Sequence, residues 1–157
     1  LDPTERYGIE LDGTVNINDR VSLQGNYSYL RAKFTAGPFD GNNVPLVPKN
    51  KASLSGTWRP TAATDLTVAV NYVDSKYFDN DQSNSFGKKI PSHTTVDARL
   101  SHVYRGVRMA AEVNNIFNEE YFEYGVSSTF SPGVYNAYPL PERTILFTAS
   151  KEFGTIH

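Results

Sequence analysis

Between Tyr7 and Ile17 the apolar side chains occupy odd positions (Tyr7, Ile9, Leu11, Val15, Ile17), while Arg6, Gly8, Glu10, Asp12, Thr14 and Asn16 fill the even ones. Successive side chains on a strand point to opposite faces, so a period of two kept this long describes one apolar and one wet face. The pattern recurs. A second strand sets Val21, Leu23, Gly25, Tyr27 and Tyr29 against Ser22, Gln24, Asn26 and Ser28. A third carries Ala52, Leu54, Gly56 and Trp58, and a fourth Leu66, Val68, Val70 and Tyr72. The fifth has Val96, Ala98 and Leu100 opposite Asp97 and Arg99 and reaches Tyr104; the sixth runs through Val107, Met109, Ala111 and Val113. The last places Ile145, Phe147, Ala149 and Phe153 on one face.

The connections set the order of pairing. Asn18-Asp19-Arg20 reads as a tight hairpin loop; pairing Ile17 with Val21 sets Val15 opposite Leu23 and Leu11 opposite Tyr27, apolar against apolar. Arg59 to Asp65 is a turn, and Arg105-Gly106 is a two-residue turn. Pairing Tyr104 with Val107 then puts Leu100 opposite Ala111 and Arg99 opposite Glu112, an ion pair worth about 0.2–1 kcal/mol. The other connections are long: a Gly-, Pro- and Asn-rich stretch after Arg31, a polar one over about 74–91, and an aromatic one over about 118–142. If strands pair in chain order, every short turn lies at one end of the sheet and every long loop at the other. The expected fold class is all-β, an antiparallel up-and-down meander of about seven strands.

Composition narrows the partners. A formal net charge of −2 lacks the basic excess that draws nucleic acid. With no cysteine there is no disulfide framework and no thiolate metal site. The longest apolar runs, such as 68–70 and 145–147, fall far short of the roughly 18 residues of a spanning helix. The chain opens at Leu1-Asp2-Pro3 without a basic and apolar leader, so either a signal has been removed or the chain is part of something longer.

A period of two fits a soluble sandwich, such as a carbohydrate-binding module, or a membrane barrel with its apolar face in lipid. Three features favour lipid. An aromatic residue ends the apolar face of every strand (Tyr7, Tyr29, Trp58, Tyr72, Tyr104, Phe117, Phe153), making two belts where amphipathic rings suit a membrane boundary. The strongly polar strand members Glu10, Asp12, Asp97, Arg99, Arg108 and Glu112 share the other face, with Lys151 the exception near a strand end. Short turns opposite long loops match outer-membrane barrels. A complete small barrel acting as an adhesin is a further alternative, but it would require an eighth strand.

The stretch Val113-Asn114-Asn115-Ile116-Phe117-Asn118-Glu119-Glu120-Tyr121 resembles the "VNNLFDKEY" signature of TonB-dependent outer-membrane receptors. Tyr138-Pro139-Leu140-Pro141-Glu142-Arg143-Thr144 is similar to their "YPLPGRT" entry to the final strand, and Arg6-Tyr7-Gly8-Ile9-Glu10-Leu11 to the start of an earlier one. The resemblance implies that residues 1–153 are the C-terminal segment of a large transmembrane β-barrel, followed by a 154–157 tail. It implies a place in the outer membrane of a Gram-negative bacterium, against its lipid, as barrel wall and external loops of an active transporter. The cargo would be a scarce chelate, a ferric siderophore first. The partners would be the remaining strands, an N-terminal plug and, through that plug, TonB. No stretch resembles the plug.

The long loops hold Tyr77, Phe78, Phe86, Tyr121, Phe122, Tyr124, Phe130, Tyr135 and Tyr138, rings that could stack on a planar chelate or else pack the loops. Lys88 and Lys89 read as a solvated charge pair that could attract an anion. Arg143 and Glu120 are expected to pair and anchor the final loop. Asp79-Asn80-Asp81-Gln82-Ser83 starts like a calcium loop, but Asn84 stands where Gly is needed and Ile90 where Glu is. His93, His102 and His157 lack metal-ligand spacing, and His102 is expected at the interface. Ser101 and His102 point to opposite faces and form no dyad. No enzyme, metal or cofactor is expected.

Overall fold

In a computed structural model, which describes residues 2–151, the chain builds one seven-stranded antiparallel sheet and a separate two-stranded hairpin. The strands are β1 (Thr4–Asn18), β2 (Val21–Phe34), β3 (Asn50–Thr61), β4 (Thr64–Val73), β5 (His93–Tyr104), β6 (Val107–Asn114), β7 (Phe122–Ser127), β8 (Tyr135–Pro139) and β9 (Thr144–Lys151). The large sheet follows chain order, β1-β2-β3-β4-β5-β6-β9, and β7 pairs with β8 inside the third long connection. The meander is the one expected. The expectation overlooked the β7–β8 hairpin, and Phe153 and the 154–157 tail lie outside the described residues.

Register follows the side-chain pattern. Val15 faces Leu23 and Leu11 faces Tyr27 across β1 and β2. Ile17 does not pair with Val21; the register shifts and Asn18 takes that place. The Asn18 side chain explains the shift, because its Oδ1 accepts from the backbone N–H of Arg20 at 2.8 Å and of Val21 at 2.9 Å, closing a shorter turn. The β3–β4 turn is likewise tighter than expected, with Thr61 paired to Thr64. Between β5 and β6, Arg105 (φ 50°) and Gly106 (φ 76°) both take the left-handed conformation that matches the strand twist of a two-residue hairpin. Tyr104–Val107, Leu100–Ala111 and Arg99–Glu112 pair as expected, with Arg99 Nη1 4.0 Å from Glu112 Oε2.

The two faces differ as the alternation requires. On the apolar side Ile9, Leu54, Val68, Leu100 and Phe147 are 61, 55, 40, 49 and 78% exposed. A soluble sandwich would cover these groups. The buried apolar side chains, Ala32, Phe34, Phe78, Ile90 and Ala110, all lie outside that set, most of them under the loops. The apolar face of β1 from Tyr7 to Ile17 covers about 33 Å at ~3.3 Å per residue. Tilted by ~40°, it spans about 25 Å, the height of an outer-membrane apolar band. On the wet side polar groups bond across strands: Asn26 Nδ2 to Ser53 Oγ at 2.7 Å, Thr57 with Thr67 at 2.9 Å, and Asn71 Nδ2 to Asp97 Oδ2 at 3.0 Å. At the turn end Ser101 Oγ donates to Asp65 Oδ1 at 2.8 Å, beside Arg108. His102, on the apolar face, shares a 2.9 Å hydrogen bond with Thr64, one apolar position beyond the Trp58–Leu66–Leu100 row and one short of Tyr104.

The Asn-Asn stretch after β6 ends the strand. Asn115 is buried with φ 54°, its backbone N–H donates to Asp97 Oδ1 at 2.8 Å, and its side chain holds both the N–H and the carbonyl of Glu119. Asn118 (φ 57°) then accepts the Arg143 N–H at 2.9 Å, tying the start of the long connection to its end.

Candidate ligand-facing loop layer

The three long connections form one hydrogen-bonded layer at the end of the sheet opposite the turns. Asn84 reaches the first loop: its Oδ1 accepts the Asn43 N–H at 2.7 Å and its Nδ2 donates to the Asn43 carbonyl at 3.0 Å. Leu46 N–H donates to the Tyr77 carbonyl at 3.0 Å. A parallel bridge joins Asp79 to Val126 of β7, and Asn80 Nδ2 donates to the Ser127 carbonyl at 2.9 Å. Asn80 and Asn84 both sit at positive φ, a conformation that asparagine tolerates better than most residues.

The aromatic residues separate into distinct environments. Phe78, 1% exposed, is the centre of a packed cluster. Its ring lies 4.7 Å from Tyr135, 5.3 Å from Phe86 in an edge-on contact, and 6.2 Å from Phe122. Phe78 is therefore enclosed by neighbouring rings, in the packing role that the sequence left open beside ligand contact. Phe86, Phe122 and Tyr135 form the shell around it. Tyr124 lies outside that shell, 5.5 Å from Tyr138, and its hydroxyl donates to Asp79 Oδ2 at 2.7 Å. That bond raises the Tyr124 pKa above its ordinary 10.0. Tyr121 stacks 4.2 Å from the buried ring of His93, whose Nε2 lies 3.6 Å from Glu123. Burial raises the Tyr121 pKa as well. Phe130, at the hairpin tip, is 95% exposed.

Lys88 and Lys89 are both exposed, as expected of a solvated pair, and each also has a partner: Lys88 donates to the Gly133 carbonyl at 3.2 Å, and the Lys89 ammonium sits 4.5 Å over the Tyr77 ring. Arg143 anchors the last loop without Glu120: its Nη1 donates to the Ile116 carbonyl at 3.3 Å. The carboxylates of the 79–83 stretch close turns. Asp79 Oδ1 accepts the Asn80 N–H at 2.9 Å, and Asp81 Oδ1 accepts the N–H groups of Ser85 and Phe86 at 3.0 and 3.3 Å. Below the loops, on the wet side, Asn71, Asp97, Asn115, Tyr121 and Glu142 line a polar recess of about 400 Å³. Of these, Tyr121 is one of the expected site rings; Asn71, Asp97, Asn115 and Glu142 are not among them, and for Asn71 and Asp97 wet-face parity near the loop end of β4 and β5 was the available signal.

An open antiparallel meander with an exposed apolar face, a hydrogen-bonded wet face and its long loops gathered at one end is a wall segment of a large transmembrane β-barrel. The family described as "TonB dependent receptor-like, beta-barrel" matches residues 2–116, and the chain belongs to it. The Escherichia coli K12 "Ferrichrome outer membrane transporter/phage receptor" is 31% identical over 156 residues, covering 93% of this chain and 20% of that protein. The "Ferrioxamine receptor" of Yersinia enterocolitica is 26% identical over 155 residues, covering 93% of this chain and 20% of that protein. Among solved structures, the ferric yersiniabactin uptake receptor FyuA from Yersinia pestis superposes with a TM-score of 0.82 at 25% identity, over 96% of this chain and 24% of that one. The chain thus spans about a fifth of the length of the curated relatives it matches. These relatives are receptors and transporters by name.

Proposed function

We propose that this chain forms wall and external loops of an outer-membrane active transporter that imports a scarce ferric chelate, a siderophore first, in a Gram-negative bacterium. The carrying observation is the sheet itself: its apolar side is suited to lipid and its polar side to a wet lumen, under a layer of knitted loops. The remaining strands of such a barrel would cover the edges of β1 and β9, which do not pair with each other among the described residues. Coupling to TonB would run through a plug outside this chain, while the wall stays fixed. Tyr121, Tyr124 and Tyr77, with the outer edges of Phe86, Phe122 and Tyr135, are the rings we assign to the chelate; Phe78 holds the last three in place. The residues argue for binding and passage.

The test is uptake of radioactive iron from a panel of chelates by cells whose own receptors are deleted and which express the full-length protein. Uptake of at least one chelate, abolished when TonB is removed, is the expected result. A correctly inserted protein that takes up none of them, or that works equally well without TonB, contradicts the reading.

A further inference from the structure

Between the loop end of β2, the first loop and the second loop lies a cavity of about 230 Å³ whose walls include Lys49, Lys76 and Lys89 with Asp74 and Tyr77. Leu30 and Ala32, which also line it, alternate with Tyr27 and Tyr29, so the cavity belongs to the wet side of the sheet. Lys76 is only 8% exposed. No carboxylate lies within ion-pair distance of these lysines among the described residues. Asp74 is the one carboxylate in the wall; its oxygens accept from neutral donors, Oδ2 from Asn50 Nδ2 at 2.7 Å and Oδ1 from the Ser75 N–H at 2.7 Å, so it forms no direct ion pair with a lysine and offsets one of the three positive charges. The ring of Tyr77 steadies Lys89 but does not cancel its charge.

Backbone hydrogen bonds tie the walls to one another. Lys76 and Ile90 exchange both backbone hydrogen bonds, at 3.1 and 2.8 Å, and Ile90 is fully buried. The Leu46–Tyr77 backbone bond joins the two loops across the same place. Burying a lysine that no carboxylate pairs with directly is costly. Burial indeed holds the Lys76 pKa below its ordinary value, with Glu123 raising it and Lys51 lowering it.

We propose that this lysine-walled cavity is a binding site for a soluble oxyanion, a carboxylate or phosphate group, held by the ammonium groups of Lys49, Lys76 and Lys89. Against three ammonium groups the wall sets one carboxylate, so an oxyanion supplies the further negative charge and the acceptor lone pairs, and charge-assisted bonds of this kind are the stronger class. At about 30 Å³ per water, the cavity holds several non-hydrogen atoms together with residual water. Its place on the wet side excludes a lipid headgroup as the source. The site rests on its own geometry; only arrival of the anion from outside the cell rests on the transporter reading.

The experiment is calorimetric titration of the full-length protein in detergent with inorganic phosphate and, separately, malonate, at ionic strength matched with sodium chloride. Saturable binding of at least one of them, weakened tenfold or more by Lys76→Gln and by Lys89→Gln but unchanged by Lys88→Gln, is expected. The arm that binds identifies phosphate or carboxylate as the group. Absence of saturable binding by both anions overturns the site, as does indifference to Lys89→Gln in a folded variant. Equal loss with Lys88→Gln, which lies outside the cavity, would mean a diffuse field and no site. The radioactive-iron assay reads independently, so uptake without anion binding rejects this site and leaves the transporter reading standing.

Discussion

A methyl group at Gly125 would come within 2.8 Å of Phe78 Cε1 and 3.0 Å of the Asn136 carbonyl oxygen, so the centre of the aromatic cluster depends on a missing side chain. Gly125→Ala is therefore predicted to weaken the β7–β8 hairpin by about 1–3 kcal/mol, the usual cost of overpacking. Hydrogen exchange checks it: the β7 and β8 amides should exchange faster while those of β3 and β4 keep their protection. Lys76 gives a prediction with a defined sign. Its native pKa lies below the unfolded value of 10.5, so between the two the unfolded chain holds more protons and loop stability rises with pH. Below that window the full cost of burying the charge is present. Lys76→Met, which keeps the backbone bridge to Ile90, is predicted to stabilise the loop layer at pH 7 and to flatten that alkaline rise. Thermal unfolding followed by tyrosine near-ultraviolet dichroism at pH 7 and in the alkaline range measures both.

Each strand has one tolerant face and one intolerant face. Arg in place of Leu54, mid-strand on the apolar side, should cost about 2–4 kcal/mol of folding stability in a bilayer. The same change at the neighbouring Ser55, on the wet side, should cost well under half of that; equal costs at both sites would refute the assignment of faces. The Arg99–Glu112 pair, at 4.0 Å and partly exposed, should show a coupling below about 1 kcal/mol in a double-mutant cycle. Strand identity, register and face were legible because they depend on local alternation and on turn residues such as Arg105-Gly106. The shift at Asn18 was not, because a side chain accepting two backbone N–H groups overrides the apolar pairing that would have used Ile17. The β7–β8 hairpin does show alternation, Phe122, Tyr124 and Val126 against Glu123, Gly125 and Ser127, but it is short and its partner strand ends at Pro139. The aromatic character of the candidate site could be read from composition. Which rings are buried could not, because that follows from bridges such as Asp79–Val126 between distant loops.

For the whole molecule, the governing relation is that two solvents meet one sheet, and the loop layer at one end supplies most of what is packed away from both. Such a sheet is stable only where something apolar covers its exposed side, and the aromatic belts at Tyr7, Tyr29, Tyr72 and Phe117, and at Trp58 and Tyr104, mark where that cover ends. This chain contributes no cysteine, so with any cysteine elsewhere in the full-length protein replaced, the claim is directly measurable. Single cysteines placed one at a time from Ser53 to Thr57 and from Thr67 to Asn71 in the full-length protein, spin-labelled and reconstituted into bilayers, report contact with oxygen in lipid or with a water-soluble nickel complex. The account predicts oxygen maxima at 54, 56, 68 and 70 and nickel maxima at 53, 55, 57, 67, 69 and 71. Alternation in the opposite phase, or none, would contradict it.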